Sequence, residues 1–130
     1  MALILVIDDD RRFRPMLRAL LEEAGHEVIE ETEGRAGIVA YRARRPDVAL
    51  VDIIMPGKGG IATIGEIHME FPDAKLIAMS GGDPRGPLSD LPIAWAYGAM
   101  RSLQKPFGKT ALLAAIEEAL QDASARPAIG

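Results

Sequence analysis

The sequence predicts a single α/β domain built on a doubly wound parallel sheet with helices on both faces. Three observations carry that expectation. Five strand-like segments alternate with five helix-like ones along the 130 residues, the pattern of consecutive βα units. Two of the strand-like segments, LILVI (3–7) and DVALVDI (47–53), are nearly unbroken runs of β-favouring apolar residues, as strands buried on both faces require. Both runs end in carboxylates, at Asp8 and Asp52, which is where a parallel sheet displays its chemistry.

Each element has its own reason. After LILVI, the residues Phe13, Met16, Leu17, Leu20, Leu21 and Ala24 recur at helical spacing and stop at Gly25, a suitable residue just past a helix end. EVIEE (27–31) reads as a shorter strand, followed by a helix over roughly 34–44 that Pro46 closes. DVALVDI leads into the loop MPGKGG, and Ile61, Ile64 and Ile67 then mark a third helix, closed around Pro72. AKLIAMS (74–80) is a strand, and GGDPRGP after it is a breaker-rich loop. Ser89 to Tyr97 reads as a short helix that tolerates Pro92 only in its first turn. A strand near 101–104 precedes Lys105-Pro106-Phe107, and a last helix carries Leu112, Leu113, Ile116 and Leu120. Residues 1–123 form the expected domain and 124–130 a flexible tail. Pro15 is awkward if Asp10 caps the first helix, so a start near Arg12 or a distorted first turn is expected.

Composition narrows the function. With 15 basic and 19 acidic residues the net charge is -4, which argues against a phosphate-backbone binder, so no nucleic-acid partner is expected. The densest basic stretch, Arg42, Arg44 and Arg45, reads as a solvated helix end. The absence of cysteine excludes a disulfide framework, a thiolate nucleophile and a zinc ribbon. No uncharged apolar stretch is long enough to span a bilayer, and the first apolar segment lacks a basic n-region. A cytoplasmic protein without a membrane partner is the expectation.

If the strand order is 2-1-3-4-5, the first and third strands flank the point where the order reverses. Asp8, Asp9 and Asp52 then converge there, joined by Ser80 from the end of the fourth strand and Lys105 after the fifth. Clustered acids ionise together only with a cation among them, and an oxygen-only donor set without His or Cys favours a hard ion such as Mg²⁺.

The acid pair after LILVI, Asp52 in LVDIIMPGKGG, Ser80 in LIAMSGG and Lys105 in LQKPF together resemble the receiver (response-regulator, CheY-like) domain of two-component signalling, over nearly the whole chain. The resemblance implies a flavodoxin-like (βα)5 sheet in the order 2-1-3-4-5. It implies that Asp52 is a phosphoacceptor for a phosphohistidine, supplied by a sensor histidine kinase or a histidine phosphotransfer protein. It also implies that Asp9, Asp52 and the backbone carbonyl of Ile54 bind Mg²⁺ directly, with Asp8 acting mostly through water. Lys105 would pair with Asp52 and then with a phosphoryl oxygen, Ser80 would hydrogen-bond the phosphoryl group, and Lys105-Pro106 is a candidate cis bond. Output would be a changed contact with a partner protein through the face of the fourth helix, fifth strand and fifth helix, including Trp95 and Arg101 if they are exposed. Such a chain is a stand-alone signalling module and not an enzyme.

One departure from the family stands out. Receivers usually carry Tyr or Phe three residues before the Lys, and here that position is Ser102. Trp95 and Tyr97 lie nearby and read as packing residues. Transmission is therefore expected through the 81–92 loop. A phosphorylation-independent interaction module on the same fold is the alternative. Two other readings fit less well. A haloacid-dehalogenase-type phosphatase would need a small hydroxyl residue where Arg11 and Arg12 stand. A phosphate-loop nucleotidase, suggested by Gly108-Lys109-Thr110, would need Gly where Leu103 stands, so that triplet reads as a helix start.

Overall fold

A computed structural model of the chain describes residues 1–55, 57–81 and 91–122, with residues 91–93 described by their backbone alone. Ten elements alternate strictly: β1 (Leu3–Ile7), α1 (Phe13–Glu23), β2 (Glu27–Glu31), α2 (Gly34–Arg44), β3 (Val48–Asp52), α3 (Gly60–Glu70), β4 (Leu76–Ser80), α4 (Leu91–Tyr97), β5 (Arg101–Gln104) and α5 (Lys109–Gln121). All strand pairs are parallel, and the order across the sheet is β2-β1-β3-β4-β5.

Period-two alternation sorts the apolar strand residues onto two cores. Ile4 and Val6 of β1 join Leu17 and Leu21 of α1 and Leu112 and Ile116 of α5 on one face. Leu5 and Ile7 join Ile38 of α2, Ile64 and Ile67 of α3 and Ala94 of α4 on the other. β3 is buried throughout, as its unbroken apolar run requires.

Boundaries differ from expectation by a residue or two. β3 ends at Asp52: Ile53 N still donates to Met79 O (2.9 Å), but its carbonyl accepts from Gly60 N (2.9 Å), which turns the chain toward α3. β4 starts at Leu76 because Ala74 still donates to Phe71 O (2.9 Å) in a turn. The Pro15 problem is resolved by the later start: α1 begins at Phe13, so Pro15 falls in the first turn, where its missing N–H has no intrahelical partner to lose. Asp10 still caps, because its Oδ1 accepts from Arg12 N (2.8 Å) and Phe13 N (3.0 Å). Those two backbone bonds hold its carboxyl below the usual range.

The basic stretch at the end of α2 is occupied by neighbours. Arg42 pairs with Glu70, Arg44 with Glu27, and the Arg45 guanidinium lies 4.0 Å over the Phe71 ring. Gly108 precedes the first residue of α5, so the Gly-Lys-Thr triplet is a helix start, with Lys109 paired to Glu23. Among the described residues, no helix is long and apolar enough to cross a membrane. The expected tail, 124–130, and most of the 81–92 loop lie outside the described residues.

Candidate functional site at the carboxyl edge of the sheet

The register determines which residues meet. Ile7 pairs with Val51, so the next residues, Asp8 and Asp52, emerge side by side. Asp52 pairs with Met79, which places Ser80 one step beyond it on β4. Ser80 pairs with Gln104, and Lys105 N donates to Ser80 O (2.7 Å), so the lysine enters from the β5 side. α1 and α3 leave this edge toward opposite faces, which opens a crevice at the β1/β3 switch point.

Within the crevice, carboxylate oxygens of Asp8, Asp9 and Asp52 all lie within 4.8 Å of one another. Lys105 Nζ donates to Asp8 Oδ2 (2.8 Å) and to Asp52 Oδ2 (3.3 Å). The lysine was expected on Asp52, and its shorter bond is to Asp8. Asp8 is fully buried, and its other oxygen accepts from Asp10 N (2.9 Å). Asp9 is exposed, so of the two neighbours it is the one that faces solvent. Asp52 is only 6% exposed. Ile54 N donates to Asp52 Oδ1 (3.3 Å), which brings the Ile54 backbone along the acceptor carboxylate.

Burial pushes the Asp52 carboxyl up to about 6; Lys105 opposes this, and the neighbouring Asp8 charge adds to it. The Lys105 ammonium is held above its ordinary value: burial works against its charge, and the Asp8 hydrogen bond and the Asp52 charge outweigh that. Two of the three gathered carboxylates thus share the Lys105 ammonium, and Asp9 lies beside them. The donor set is all oxygen, and the cluster is short of positive charge, which fits a hard divalent cation such as Mg²⁺.

Two glycines shape this edge. A Cβ at Gly60 would come 1.8 Å from Asp52 O, so the start of α3 packs directly onto the acid's backbone only because residue 60 has no side chain. Among the described residues, a Cβ at Gly81 would meet Lys105 carbons at 3.7 and 4.0 Å, ordinary contact distances. Lys105-Pro106 is cis.

Sequence reasoning missed two contributors. Arg14 Nη1 donates to Asp8 O (2.9 Å), and its Nε donates to Glu30 Oε1 (2.9 Å), which ties the acid-bearing loop to β2. The Phe13 ring centroid lies 4.3 Å from Lys105 Nζ. In the sequence Phe13 is simply the first apolar residue of a helix, and nothing there points to a lysine 92 positions away. On the helical face, Trp95 is 56% exposed rather than packed, and half-exposed Tyr97 lies over Gly65 of α3. Arg101 reaches Glu118 (3.4 Å) and Asp122 (3.6 Å) at the end of α5. Ser102 pairs with Ala78 in the sheet and is half-buried.

An open parallel sheet of this order with acids gathered at its switch point defines a receiver-type α/β domain. Residues 4–117 match the family described as the response regulator receiver domain. The chain belongs to that family. It is 33% identical to the chemotaxis protein CheY of Thermotoga maritima, over 88% of this chain and 94% of that one. It is 32% identical to CheY of Bacillus subtilis, over 90% and 96%. Among solved structures, a CheY-like receiver domain protein from Methanospirillum hungatei superposes with a TM-score of 0.86 at 26% identity, covering 94% of this chain and 95% of that one.

Proposed function

We propose that this receiver domain accepts a phosphoryl group on Asp52 from a phosphohistidine, in a Mg²⁺-dependent reaction, and that the modification alters its contact with a partner protein. The observation that carries the proposal is the convergence of three carboxylates at the sheet's switch point, two of them paired with the half-buried Lys105. Asp52 supplies the nucleophile: its carboxylate oxygen attacks phosphorus, the P–O bond forms as the P–N bond to imidazole breaks, and the imidazole leaves with a proton from solvent. With its carboxyl pushed up to about 6, Asp52 remains mostly ionised at neutral pH and able to attack. Lys105 is poised to turn from Asp8 and Asp52 toward a phosphoryl oxygen, as a point-charge phosphate binder. Ser80, at the end of β4, would donate to a second phosphoryl oxygen, and Gly81 beside it carries no side chain. Asp8, Asp9, Asp52 and the Ile54 carbonyl would hold Mg²⁺, which supplies the positive charge that lets a carboxylate approach a phosphoryl dianion.

The donor would be a sensor histidine kinase or a histidine phosphotransfer protein. The output surface would be the α4–β5–α5 face, where Trp95 is exposed and Arg101 bridges to α5. Ser102 at the usual aromatic position favours a second reading, an interaction module that works without phosphorylation. Intact-mass measurement after acetyl phosphate distinguishes the two. The expected result is one phosphoryl adduct on wild type with Mg²⁺, none with EDTA and none on Asp52→Asn. No adduct on either protein would favour the interaction module, and equal adducts on both would remove Asp52 from its role.

A further inference from the structure

We infer that Phe13 is a positioning residue for Lys105, holding its ammonium over an aromatic face while the lysine changes partners during phosphoryl transfer. The inference rests on the phosphoacceptor reading above. Lys105 Nζ lies 4.3 Å from the Phe13 ring centroid while donating to Asp8 and Asp52. The ring is itself fixed, because Phe107 meets it edge-on, with centroids 5.2 Å apart and planes at 90°. Phe13 opens α1 and Phe107 follows the Lys-Pro bond, so the pair clamps the loop bearing Asp8 and Asp9 to the loop bearing Lys105.

The chemistry explains why an aromatic suits this place. A lysine has three N–H donors, and two of them go to carboxylates here. A ring face attracts the ammonium through its quadrupole without fixing the direction of any N–H. The ammonium can therefore swing from Asp52 to a phosphoryl oxygen and stay in contact with the ring. A carboxylate or carbonyl in the same place would bind one N–H and hold the lysine back. A leucine would fill the volume but offer no attraction for the charge.

The test combines kinetics with a spectroscopic signature. Phosphorylation by acetyl phosphate with saturating Mg²⁺ would be followed for wild type, Phe13→Leu and Phe13→Tyr. In parallel, the Lys105 ε-methylene proton shifts would be recorded by NMR in each. Phe13→Leu should lower the maximal rate about threefold to tenfold, and Phe13→Tyr should restore it. The ε-methylene protons should be shifted upfield in wild type and Phe13→Tyr, and lie near ordinary lysine positions in Phe13→Leu. An unshifted wild-type lysine overturns the inference without any variant, which covers the case where Phe13→Leu does not fold. A Phe13→Leu rate equal to wild type also overturns it and leaves the Asp52 reading intact, whereas a wild type that takes no adduct overturns both.

Discussion

Two clusters in this chain bring acids and bases together, and they end in opposite electrostatic states. At the β2 edge, Glu30 receives Arg14 Nε (2.9 Å) and Arg18 Nη1 (2.8 Å), and Arg18 also reaches Glu22 (3.0 Å). The Arg18 hydrogen bond, aided by Arg14 and opposed by burial, holds the Glu30 carboxyl below its usual range. At the switch point, Lys105 is the ammonium that pairs with Asp8 and Asp52 among the described residues, Asp9 lies beside them, and burial leaves Asp52 up at about 6. Arginines pair with the carboxylate in the first cluster, whereas in the second, among the described residues, Arg14 bonds the Asp8 backbone carbonyl and none of the three acid side chains. The difference separates a cluster that joins α1 to the sheet from one that remains ready for a cation and a phosphoryl group.

The comparison can be broken from its strained side first. Lys105→Ala leaves Asp8 and Asp52 buried without their ammonium, and it should destabilise the domain by about 3 kcal/mol near neutral pH. Asp52 sets the sign of the pH dependence. Its folded pKa is raised from 3.8 to about 6, so its burial favours the fold while it is protonated, and that contribution is lost as pH rises between those values. The deficit of Lys105→Ala should therefore shrink on acidification toward about pH 5, measured by urea denaturation. A deficit that is constant with pH would contradict the assigned strain.

Glu30→Gln tests the satisfied cluster and should cost roughly 1 kcal/mol at neutral pH, since both arginines remain without their carboxylate. Here the folded pKa lies below the ordinary glutamate value of 4.5, so the stabilisation is present above that value and lost as pH falls through the lower folded one. Melting temperatures of the two proteins should converge on acidification because the contribution of Glu30 is lost toward low pH, whereas that of Asp52 is gained there. The smallest effect belongs to Glu70→Gln. Its exposed pair with Arg42 should contribute no more than about 0.5 kcal/mol, and less with added salt.

Much of this was legible in the sequence, and the reason is chemical. The apolar runs of β1 and β3 end in acids, and parallel topology puts strand ends together, so Asp8, Asp9, Asp52, Ser80 and Lys105 meet once the strand order follows. Pro15 implied a late helix start, which the chain adopts. Side-chain direction was not legible. Lys105 takes its shorter bond with Asp8, the fully buried acid, and which of the neighbouring acids is buried depends on tertiary packing. The Phe13 contact depends on the register between α1 and the loop after β5, which no local pattern encodes. Trp95 read as a packing residue and faces outward, because a helix of seven residues has too few turns to define a buried stripe by spacing.

The shortage of positive charge at the switch point is tested most directly by calorimetric titration of Mg²⁺ into wild type, Asp9→Asn and Glu30→Gln at neutral pH. One ion should bind per wild-type chain, Glu30→Gln should bind it unchanged, and Asp9→Asn should lose the heat. Equal heats from wild type and Asp9→Asn, or none from wild type, would contradict a cation site built from these acids.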